Sequence, residues 1–500
     1  MSEHEASAGA GSFTSSRQCF EAVLGFLDGQ EACGLEHGKL EERLEQQSRE
    51  LFRRLFQDHL LVRAQREERL GEVVDAKGIP RPSVEIGHHR ALATVFGEVD
   101  VERLAYRQRG HENLHPADGL LNLPEEKHSH GVRRWAAVEA SRGSFDAAVD
   151  AIERATGQQV GKRQVESLAQ RAAADADAFY LQRSGQQANP QDVLVISVDG
   201  KGIVMRPDAL REGTKRASEA SATKLKTRLS KGEKRGRKRM AELGAVYDIT
   251  PVPRRATDVL ASKDEKPVEA PAAKNKWLTA SVVEDAAEVI GQVFAEAERK
   301  DPQHVRTWVA LVDGNRHQID RIQAEAKHRE LDVTIVIDLI HVLEYLWKAA
   351  WCFFTEGDPS AEEWVRDRAL AILDGAARDV AAGIRRRATS GHLGPPQRQG
   401  ADTCADYLTN KAAHLDYPTA LAAGWPIATG VIEGACRHIV KDRMDLTGAR
   451  WSLQGAEAIL KLRALRSNGD FDAYWRFHQS REQERVHRSL YADNVIPRAA

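Results

Sequence analysis

The chain is poor in the residues that stabilise secreted or membrane proteins. It has five cysteines in 500 residues, with no Cys-x-x-Cys pair: Cys19, Cys33, Cys352, Cys404 and Cys436. Neither a disulfide framework nor a zinc ribbon is indicated. No run of about 18 apolar residues occurs, so no membrane span is predicted. Residues 1–11 lack a basic stretch followed by an apolar one, so we expect no secretion signal and a cytoplasmic location.

An excess of charge of either sign is also absent. The formal net charge is -2, which argues against a uniformly basic nucleic-acid binder. Between Arg211 and Arg239, however, twelve Lys or Arg residues accompany only three acids. Such a segment can neutralise phosphates in an otherwise neutral protein. A solvated charged loop has the same composition, so both interpretations remain open.

The N-terminal part is predicted to be largely helical. Residues 17–75 carry leucines at helical spacing from Leu40 to Leu60, which indicates a packing or dimerising helix. Residues 84–107 are rich in strand formers around Gly97-Glu98 and predict a β-hairpin. A polar loop follows whose histidine spacing fits no standard zinc set. Its histidines are His111, His115, His128 and His130.

Residues 131–178 are predicted to form three helices. Two of them are joined by a glycine-containing turn, and the second opens with Lys162 and Arg163. This pattern is typical of a helix-turn-helix that contacts DNA. Ordinary helical bundles contain the same pair, so packing is the alternative.

Strands and helices alternate from about residue 190 to 340. The predicted strands are 192–199 with 202–205 as its continuation or partner, 242–249, 305–313 and 332–338. The predicted helices are about 280–299 and 316–328, and residues 255–275 form a loop. Helices then extend from 341 to about 420 around a loop at 391–400, and over 431–445 and 452–466, before a polar tail. The alternation predicts an α/β core with a mixed sheet, flanked by helices.

Three of the predicted strands end on an aspartate, namely Asp199, Asp313 and Asp338. Ligands gather at the carboxyl ends of strands in open α/β sheets, although an aspartate there can also cap a turn or helix. Clustered carboxylates suit metal-dependent phosphoryl transfer, because Mg²⁺ prefers oxygen ligands and two such ions can drive an in-line displacement.

A fourth acid opens a helix after Gly430. Glu433, Arg437 and Lys441 then fall at i, i+4 and i+8 on one face. An acid followed by two bases suits a metal beside a DNA backbone. A plain helical salt-bridge ladder gives the same spacing.

Five stretches in this order resemble the DDE transposases of bacterial insertion sequences, particularly the ISKra branch. They are Val-Ile-Ser-Val-Asp-Gly-Lys-Gly (195–202), Ala-Leu-Val-Asp-Gly (310–314), Ile-Asp-Leu-Ile-His-Val-Leu-Glu-Tyr-Leu-Trp (337–347), Gly-Val-Ile-Glu-Gly-Ala-Cys-Arg (430–437) and Arg-Trp-Ser-Leu-Gln-Gly-Ala-Glu-Ala-Ile-Leu-Lys-Leu-Arg (450–463). The resemblance covers roughly residues 90–480. The Cys-x-x-Cys zinc element that often follows the hairpin in such proteins is missing from residues 106–111.

The resemblance implies an RNase H-like mixed-sheet core with a helical insertion before the glutamate. The expected regions are a helical N-terminal region (1–80), a hairpin and helical DNA-binding region (81–185), the first part of the catalytic core (186–345) with a basic insertion (206–241), a helical insertion (346–426), C-terminal core helices (427–480) and a tail (481–500).

The resemblance also implies the site residues. Asp199, Asp313 and Glu433 would be catalytic and hold Mg²⁺, or Mn²⁺ in its place, with Asp338 and His341 as accessory residues. In the competing assignment Asp338 replaces Asp313 as the second metal ligand. The candidate DNA-binding residues are Lys162, Arg163, Arg235, Arg237, Lys238, Arg239, Arg437, Lys441 and Trp451. Trp451 would stack on a base, unless it is a core tryptophan.

The function implied is a transposase that cuts and joins double-stranded DNA at element ends and target. It would act as a homo-oligomer, near the nucleoid of a bacterial cytoplasm. Two alternatives remain: a non-catalytic DNA-binding protein derived from a transposase, and an RNase H-like nuclease.

Overall fold

The computed structural model describes residues 13–185, 189–219, 237–260, 268–446 and 448–499. The chain divides into two compact units. Residues 1–181 and 470–500 form unit 1, and residues 182–469 form unit 2. The chain therefore leaves unit 1 once and returns to it near the C-terminus.

Unit 1 begins with three helices, α1 (Thr14–Leu27), α2 (Gln30–Cys33) and α3 (His37–Gln65). The helical prediction for residues 17–75 is confirmed as far as Gln65. Beyond it the chain is irregular, in a stretch that includes Gly71, a poor helix former. The predicted hairpin is confirmed as β1 (Ser83–Thr94) and β2 (Gly97–Arg107), which pair antiparallel. Leu60 packs against the hairpin residues Leu92, Val99 and Val101, so α3 covers one of its faces.

The helical region after the hairpin contains α4 (Pro116–Leu120), α5 (His130–Arg142), α6 (Phe145–Thr156), α7 (Lys162–Ala172) and α8 (Ala176–Gln182). Ser144 caps α6 by accepting a hydrogen bond from the amide of Ala147, and Gly157 ends it in the left-handed conformation. The predicted helix pair with its glycine turn is therefore present as α6 and α7.

Unit 2 is built on a five-stranded mixed sheet. Its strands are β3 (Val193–Met205), β4 (Arg237–Ile249), β5 (Ala273–Ser281), β6 (Trp308–Val312) and β7 (Val333–Ile337). They lie in the order β5-β4-β3-β6-β7. β4 is antiparallel to β3 and β5, whereas β3, β6 and β7 run parallel. The predicted α/β core with a mixed sheet is confirmed, and residues 202–205 continue the first strand.

Strand β5 was not predicted, because its N-terminal half carries Lys274, Asn275 and Lys276 and reads as a loop. It is an edge strand, where polar residues are common and discourage pairing with other chains. Asn275 has a φ of 48° and lies where the register with β4 shifts. The predicted helix from about residue 280 starts only at Ala286.

Short helices α9 (Glu212–Glu219) and α10 (Ala256–Val259) flank β4. Residues 220–236 of the predicted basic insertion, which include Arg235, lie outside the described residues. α11 (Ala286–Lys300) packs on the sheet over Gly244, where a Cβ atom would lie only 2.2 Å from Val293 Cγ2. α12 (Arg316–His328) connects β6 to β7 and matches its predicted bounds.

Helices dominate the rest of unit 2, as predicted: α13 (Leu339–Ala350), α14 (Pro359–Leu373), α15 (Ala377–Ser390), α16 (Pro395–Asn410) and α17 (Tyr417–Ala422). The predicted loop at 391–400 is shorter, because Pro395 occupies the first turn of α16, where its missing N–H costs nothing. The chain continues through α18 (Gly430–Ala435), a π-helical turn (Cys436–Lys441), α19 (Asp442–Met444) and α20 (Leu453–Ser467).

The C-terminal segment differs from the polar tail expected from its composition. It forms α21 (Phe471–Val486), and Tyr491 and Ile496 beyond it join a hydrophobic cluster with Val73, Tyr106 and Leu114. The charged residues of α21 obscured its role, because several of them pair inside unit 1 instead of facing solvent. Residues 470–500 are therefore an integral part of unit 1.

Candidate metal centre

Three aspartates lie in a row across the parallel strands: Asp199 lies within β3, and Asp313 and Asp338 directly follow β6 and β7. Leu194 to Ile196 of β3 pair with Trp308 to Ala310 of β6, and continuing this register places Asp199 beside Asp313. Val312 of β6 pairs with Ile337 of β7, and the amide of Asp338 donates to the carbonyl of Val312 at 2.8 Å. Neighbours in register point to the same face of a sheet, so the three carboxylates share one face.

Asp338 is fully buried, and both of its oxygens are occupied. Oδ1 accepts from the amides of Ile340 (3.0 Å) and Thr429 (3.3 Å), so it caps α13. Oδ2 accepts from His341 Nδ1 (2.9 Å) and from the Thr429 hydroxyl (2.6 Å). A buried carboxylate needs such donors, and here they tie the end of β7 to the segment that leads into α18.

His341 and Glu433 complete a compact cluster with Asp338. One potential ligand atom from each of the three lies within 4.8 Å of the other two, so the cluster could hold a metal ion. The hydrogen bond from His341 to Asp338, together with the negative charges of Asp338 and Asp313, raises the pKa of His341 to about 9. Glu433 is exposed, and its Oε1 lies 3.4 Å from the Thr429 hydroxyl.

Asp199 and Asp313 keep more of their carboxylate oxygens available. Asp199 is half-buried; its Oδ1 accepts from the amide of Gly200 at 2.7 Å, and its Oδ2 lies 3.1 Å from Cys436 Sγ. Asp313 is also half-buried, and its Oδ1 accepts from the amide of Asn315 at 2.7 Å. Among the residues that the structure describes, neither belongs to the compact ligand group.

An open pocket of about 460 Å³ joins most of these groups. It is lined by Asp199, Lys201, His341, Glu433, Cys436, Arg437, Lys441 and Asp442. Three bases therefore border the same space as the acids. The π-helical turn at Cys436–Lys441 interrupts the regular α-helical spacing, yet Glu433, Arg437 and Lys441 still line one pocket.

Some pocket residues were not among the predicted site residues, namely Lys201, Cys436 and Asp442. Two of them carried a usable signal. Lys201 stands two residues after Asp199 on the same strand, and so on the same face. Cys436 stands three residues after Glu433, on the same side of its helix. Thr429 carried none, because its partner Asp338 is 91 residues away in the sequence.

Two tyrosines on helices outside the pocket bind the backbone at the ends of β6 and β7. The hydroxyl of Tyr407 on α16 donates to the carbonyl oxygen of Asp313 at 3.0 Å. The hydroxyl of Tyr417 on α17 donates to the carbonyl oxygen of Ile337 at 2.9 Å. The helices that follow β7 thus hold the ends of β6 and β7.

The remaining predicted DNA-binding residues lie elsewhere. Lys162 and Arg163 are exposed at the start of α7 in unit 1, where Lys162 pairs with Asp146 at 2.6 Å. Arg237, Lys238 and Arg239 open β4, and Arg239 Nε donates to the carbonyl of Val282 at 2.7 Å.

Trp451 does not have the exposed position expected of a base-stacking residue. Its side chain is buried, its Nε1 donates to the carbonyl of Met444 at 3.0 Å, and the Arg443 guanidinium lies 4.7 Å from its ring. The core interpretation of this tryptophan is therefore correct.

The histidines after the hairpin are engaged in unit 1. His115 Nδ1 contacts the carbonyl of Leu104 at 3.1 Å, and His130 Nε2 contacts that of Asn122 at 2.8 Å. Burial lowers the pKa of His128 and of His130. Within the described part of the chain, these histidines form no metal-ligand group.

No protein-family model matches the chain. No curated protein is significantly similar to it in sequence. The described helices include none that is both long and apolar enough to cross a membrane.

Proposed function

We propose that the chain is a DDE-type DNA transposase with an RNase H-like catalytic core. The row of Asp199, Asp313 and Asp338 across three neighbouring strands, with Glu433 close to Asp338 and three bases lining the adjoining pocket, carries the proposal. An RNase H-like core has its strands in the order 3-2-1-4-5. The strands of unit 2, counted along the chain, follow the same order.

Asp199, Asp313 and Glu433 are the residues that would hold divalent ions. Asp199 and Asp313 each accept a backbone hydrogen bond at Oδ1, and Glu433 is exposed, so each carboxylate can offer the oxygen ligands that Mg²⁺ and Mn²⁺ prefer. Asp338 suits this role less, because four donors already occupy it. When bound, the ions would activate a water or a 3′-hydroxyl and stabilise the leaving oxygen.

Other residues would orient the substrate. Because its pKa is raised to about 9, His341 is an imidazolium at neutral pH, and its Nε2 can donate to a phosphate oxygen while Asp338 holds Nδ1. Lys201, Arg437 and Lys441 would contact phosphates of the strand that enters the pocket. The protein would act on paired DNA ends as a homo-oligomer.

The test uses DNA fragments that carry the sequences flanking the coding region on each side. We expect the purified protein to cut one strand at an element end in Mg²⁺ or Mn²⁺. Asp199→Asn should abolish cutting and leave DNA binding within about twofold, because phosphate contacts supply most of the affinity. Asp208→Asn is the matched control, since Asp208 is exposed just beyond β3 and outside the pocket.

The same assay separates the alternatives. Cleavage of RNA–DNA hybrids without cleavage of the flanking DNA would indicate a nuclease of another substrate class. Binding without cleavage in either metal would indicate a non-catalytic DNA-binding protein. Cleavage by the Asp199→Asn protein would overturn the site assignment.

A further inference from the structure

Helix α1 carries two apolar stripes, of which only one is covered. The covered stripe packs on α3, where the amide of Ser16 donates to the Asp58 carboxylate at 2.9 Å. The other stripe consists of Phe20, Leu24 and Leu27, which are 47%, 44% and 37% exposed. A single exposed leucine is common on a protein surface, but these three residues follow the i, i+4, i+7 spacing of one helix face. They therefore form a continuous apolar surface on the outside of unit 1.

Charges of opposite sign flank the exposed stripe. Arg17 lies seven residues before Leu24 and Asp28 lies four residues after it, so both share its face of the helix. Both are exposed, and neither forms an ion pair within the described part of the chain.

The helix dipole disfavours both charges. Arg17 lies in the first turn, where the dipole is positive, and Asp28 caps the C-terminus, where it is negative. Contacts within α1 therefore give no reason for this pair of charges, whereas opposite charges from a second chain would compensate both.

We propose that this stripe joins two copies of the chain, with their α1 helices antiparallel about a twofold axis close to Leu24. Leu24 then lies against Leu24 of the second copy, and Phe20 against its Leu27. Along the helix, Arg17 lies about 10 Å from the axis and Asp28 about 6 Å. The long arginine side chain can therefore reach the Asp28 carboxylate of the second copy.

The charges select this arrangement over the alternative. In a parallel pair, Arg17 would face Arg17 and Asp28 would face Asp28, and like charges in contact disfavour association. An antiparallel pair forms the Arg17–Asp28 contact twice by symmetry. The proposal does not rest on DNA cleavage, because the contact lies within unit 1 and requires neither DNA nor metal.

The size of the stripe sets the expected strength of the dimer. Stable interfaces bury about 800 Å² on each partner, more than three partly exposed side chains supply. We therefore expect a weak dimer, with a dissociation constant of about 1–100 µM.

Sedimentation equilibrium of the full-length protein without DNA measures this constant. Leu24→Glu should weaken association by about tenfold or more, because symmetry places the new carboxylate against its own copy in an apolar contact. Leu181→Glu is the matched control. Leu181 is 85% exposed on α8, away from the stripe, so its substitution should leave the constant within about twofold of wild type.

An exchange of charges tests the antiparallel arrangement. Arg17→Asp and Asp28→Arg should each weaken the dimer by about threefold to tenfold, because each brings like charges together at two symmetric places. The double variant should regain the affinity of wild type. Each substitution introduces a charge that the helix dipole favours, so α1 should stay folded, which circular dichroism checks.

A protein that stays monomeric up to about 200 µM, above the expected range, would overturn the proposal. A dimer that Leu24→Glu leaves unchanged would do the same, since the contact would then lie elsewhere. A double variant no stronger than the single ones would exclude the antiparallel pairing. Because the experiment contains no DNA or metal, a dimer can form in a protein that never cuts. Failure of this proposal and failure of the transposase proposal are thus distinguishable.

Discussion

Asp313 and Asp338 occupy neighbouring positions in the row but differ in what their carboxylates already bind. Asp338 is fully buried and accepts four hydrogen bonds, two of them from Thr429. Asp313 is half-buried and accepts one at Oδ1, from the amide of the second residue after it. The carboxylate of Asp338 already accepts four hydrogen bonds that support the fold, so it is less free to bind a metal. We therefore assign Asp338 the positioning role.

This assignment predicts opposite effects of two asparagine substitutions. Asp338→Asn should lower the free energy of unfolding by about 2–3 kcal/mol, because the amide nitrogen cannot accept from His341 and Thr429. Asp313→Asn keeps an accepting oxygen for Asn315 and should cost less than about 0.5 kcal/mol. Asp313→Asn should, however, lower the rate of DNA cleavage by about a thousandfold or more.

Urea denaturation and cleavage assays on the two variants measure these effects. Calorimetric Mn²⁺ binding adds a direct readout of the ligands. If Asp338→Asn is stable and loses Mn²⁺ binding while Asp313→Asn retains it, the two roles are reversed.

Helices α16 and α17 support the ends of β6 and β7. Tyr407 of α16 and Tyr417 of α17 donate to the carbonyl oxygens of Asp313 and Ile337. The ring of Tyr407 also stacks on Tyr345 of α13, with centroids 4.0 Å apart. Gly314 has a φ of 90°, and a Cβ there would lie 2.7 Å from the Tyr407 hydroxyl oxygen. The turn after β6 is therefore shaped around this hydroxyl.

Removing that hydroxyl should disturb the turn more than the fold. We expect Tyr407→Phe to cost about 1 kcal/mol of stability and to weaken Mn²⁺ binding, because the Asp313 backbone loses its anchor. Tyr417→Phe is the control, since it loses a similar hydrogen bond at Ile337 without touching Asp313. Thermal melts and Mn²⁺ calorimetry compare the two, and equal Mn²⁺ affinities would show that Tyr407 has no positioning role.

Sequence patterns located β3, β6 and β7 because buried strands are continuous apolar runs, although β3 continues past Asp199 to Met205. The helical spacing of apolar residues located α12 and the helices after β7. β5 was not predicted, because the N-terminal half of this edge strand is polar. The hydrogen bonds from Thr429 to the Asp338 carboxylate were not predicted either. Thr429 lies 91 residues further along the chain, after a helical stretch whose path no local pattern specifies.

The charged residues of α21 suggest an exposed tail, although His478 and Glu482 are buried in unit 1. Arg133 of α5 is fully buried and pairs with Glu482 of α21 at 2.5 Å and with Glu126 at 3.1 Å. His478 of the same helix contacts Asp175 at 2.7 Å. A helix of polar composition therefore supplies the counter-charges for a buried cation.

Removing one of these counter-charges should be costly. Glu482→Ala leaves Arg133 partly unpaired in the interior and should lower the free energy of unfolding by about 3 kcal/mol. Arg134→Ala breaks the 2.6 Å ion pair with Asp472. Both side chains of this pair are exposed, so its loss should cost less than about 1 kcal/mol of stability. Urea unfolding of the two variants is the measurement, and similar losses would mean that the buried network contributes little.

The two units differ in the environments of their ionisable groups. In unit 1, desolvation lowers the pKa of the buried His128 and His487 and of the half-buried His130. Burial also raises the pKa of Asp175, but hydrogen bonds from His478 and Arg485 outweigh it and bring the pKa down to about 2. In unit 2 burial lowers the pKa of His414 in the same way, whereas the pKa of His341 is raised to about 9.

These shifts predict that unit 1 loses stability in two steps as pH falls. Because the pKa values of its histidines are lowered, the unfolded chain takes up protons near pH 6.5 before the folded chain does, and stability falls as the pH drops through that value. Asp175 contributes stability above its unfolded pKa of about 3.9, and this is lost as pH falls from about 4 to 2. His341 has the opposite sign: its contribution is complete below about pH 6.5 and is lost as pH rises through about 9.

Hydrogen exchange at pH 7, 5 and 3, expressed as protection factors, distinguishes the two units peptide by peptide. Unit 1 should lose protection between pH 7 and 5, and again at pH 3, more than the sheet of unit 2. Asp175→Asn should diminish the second step, because the asparagine does not titrate. Asp146→Asn, which removes the exposed partner of Lys162, should leave both steps unchanged. Equal losses in the two units would contradict the assignment of acid sensitivity to the buried network of unit 1.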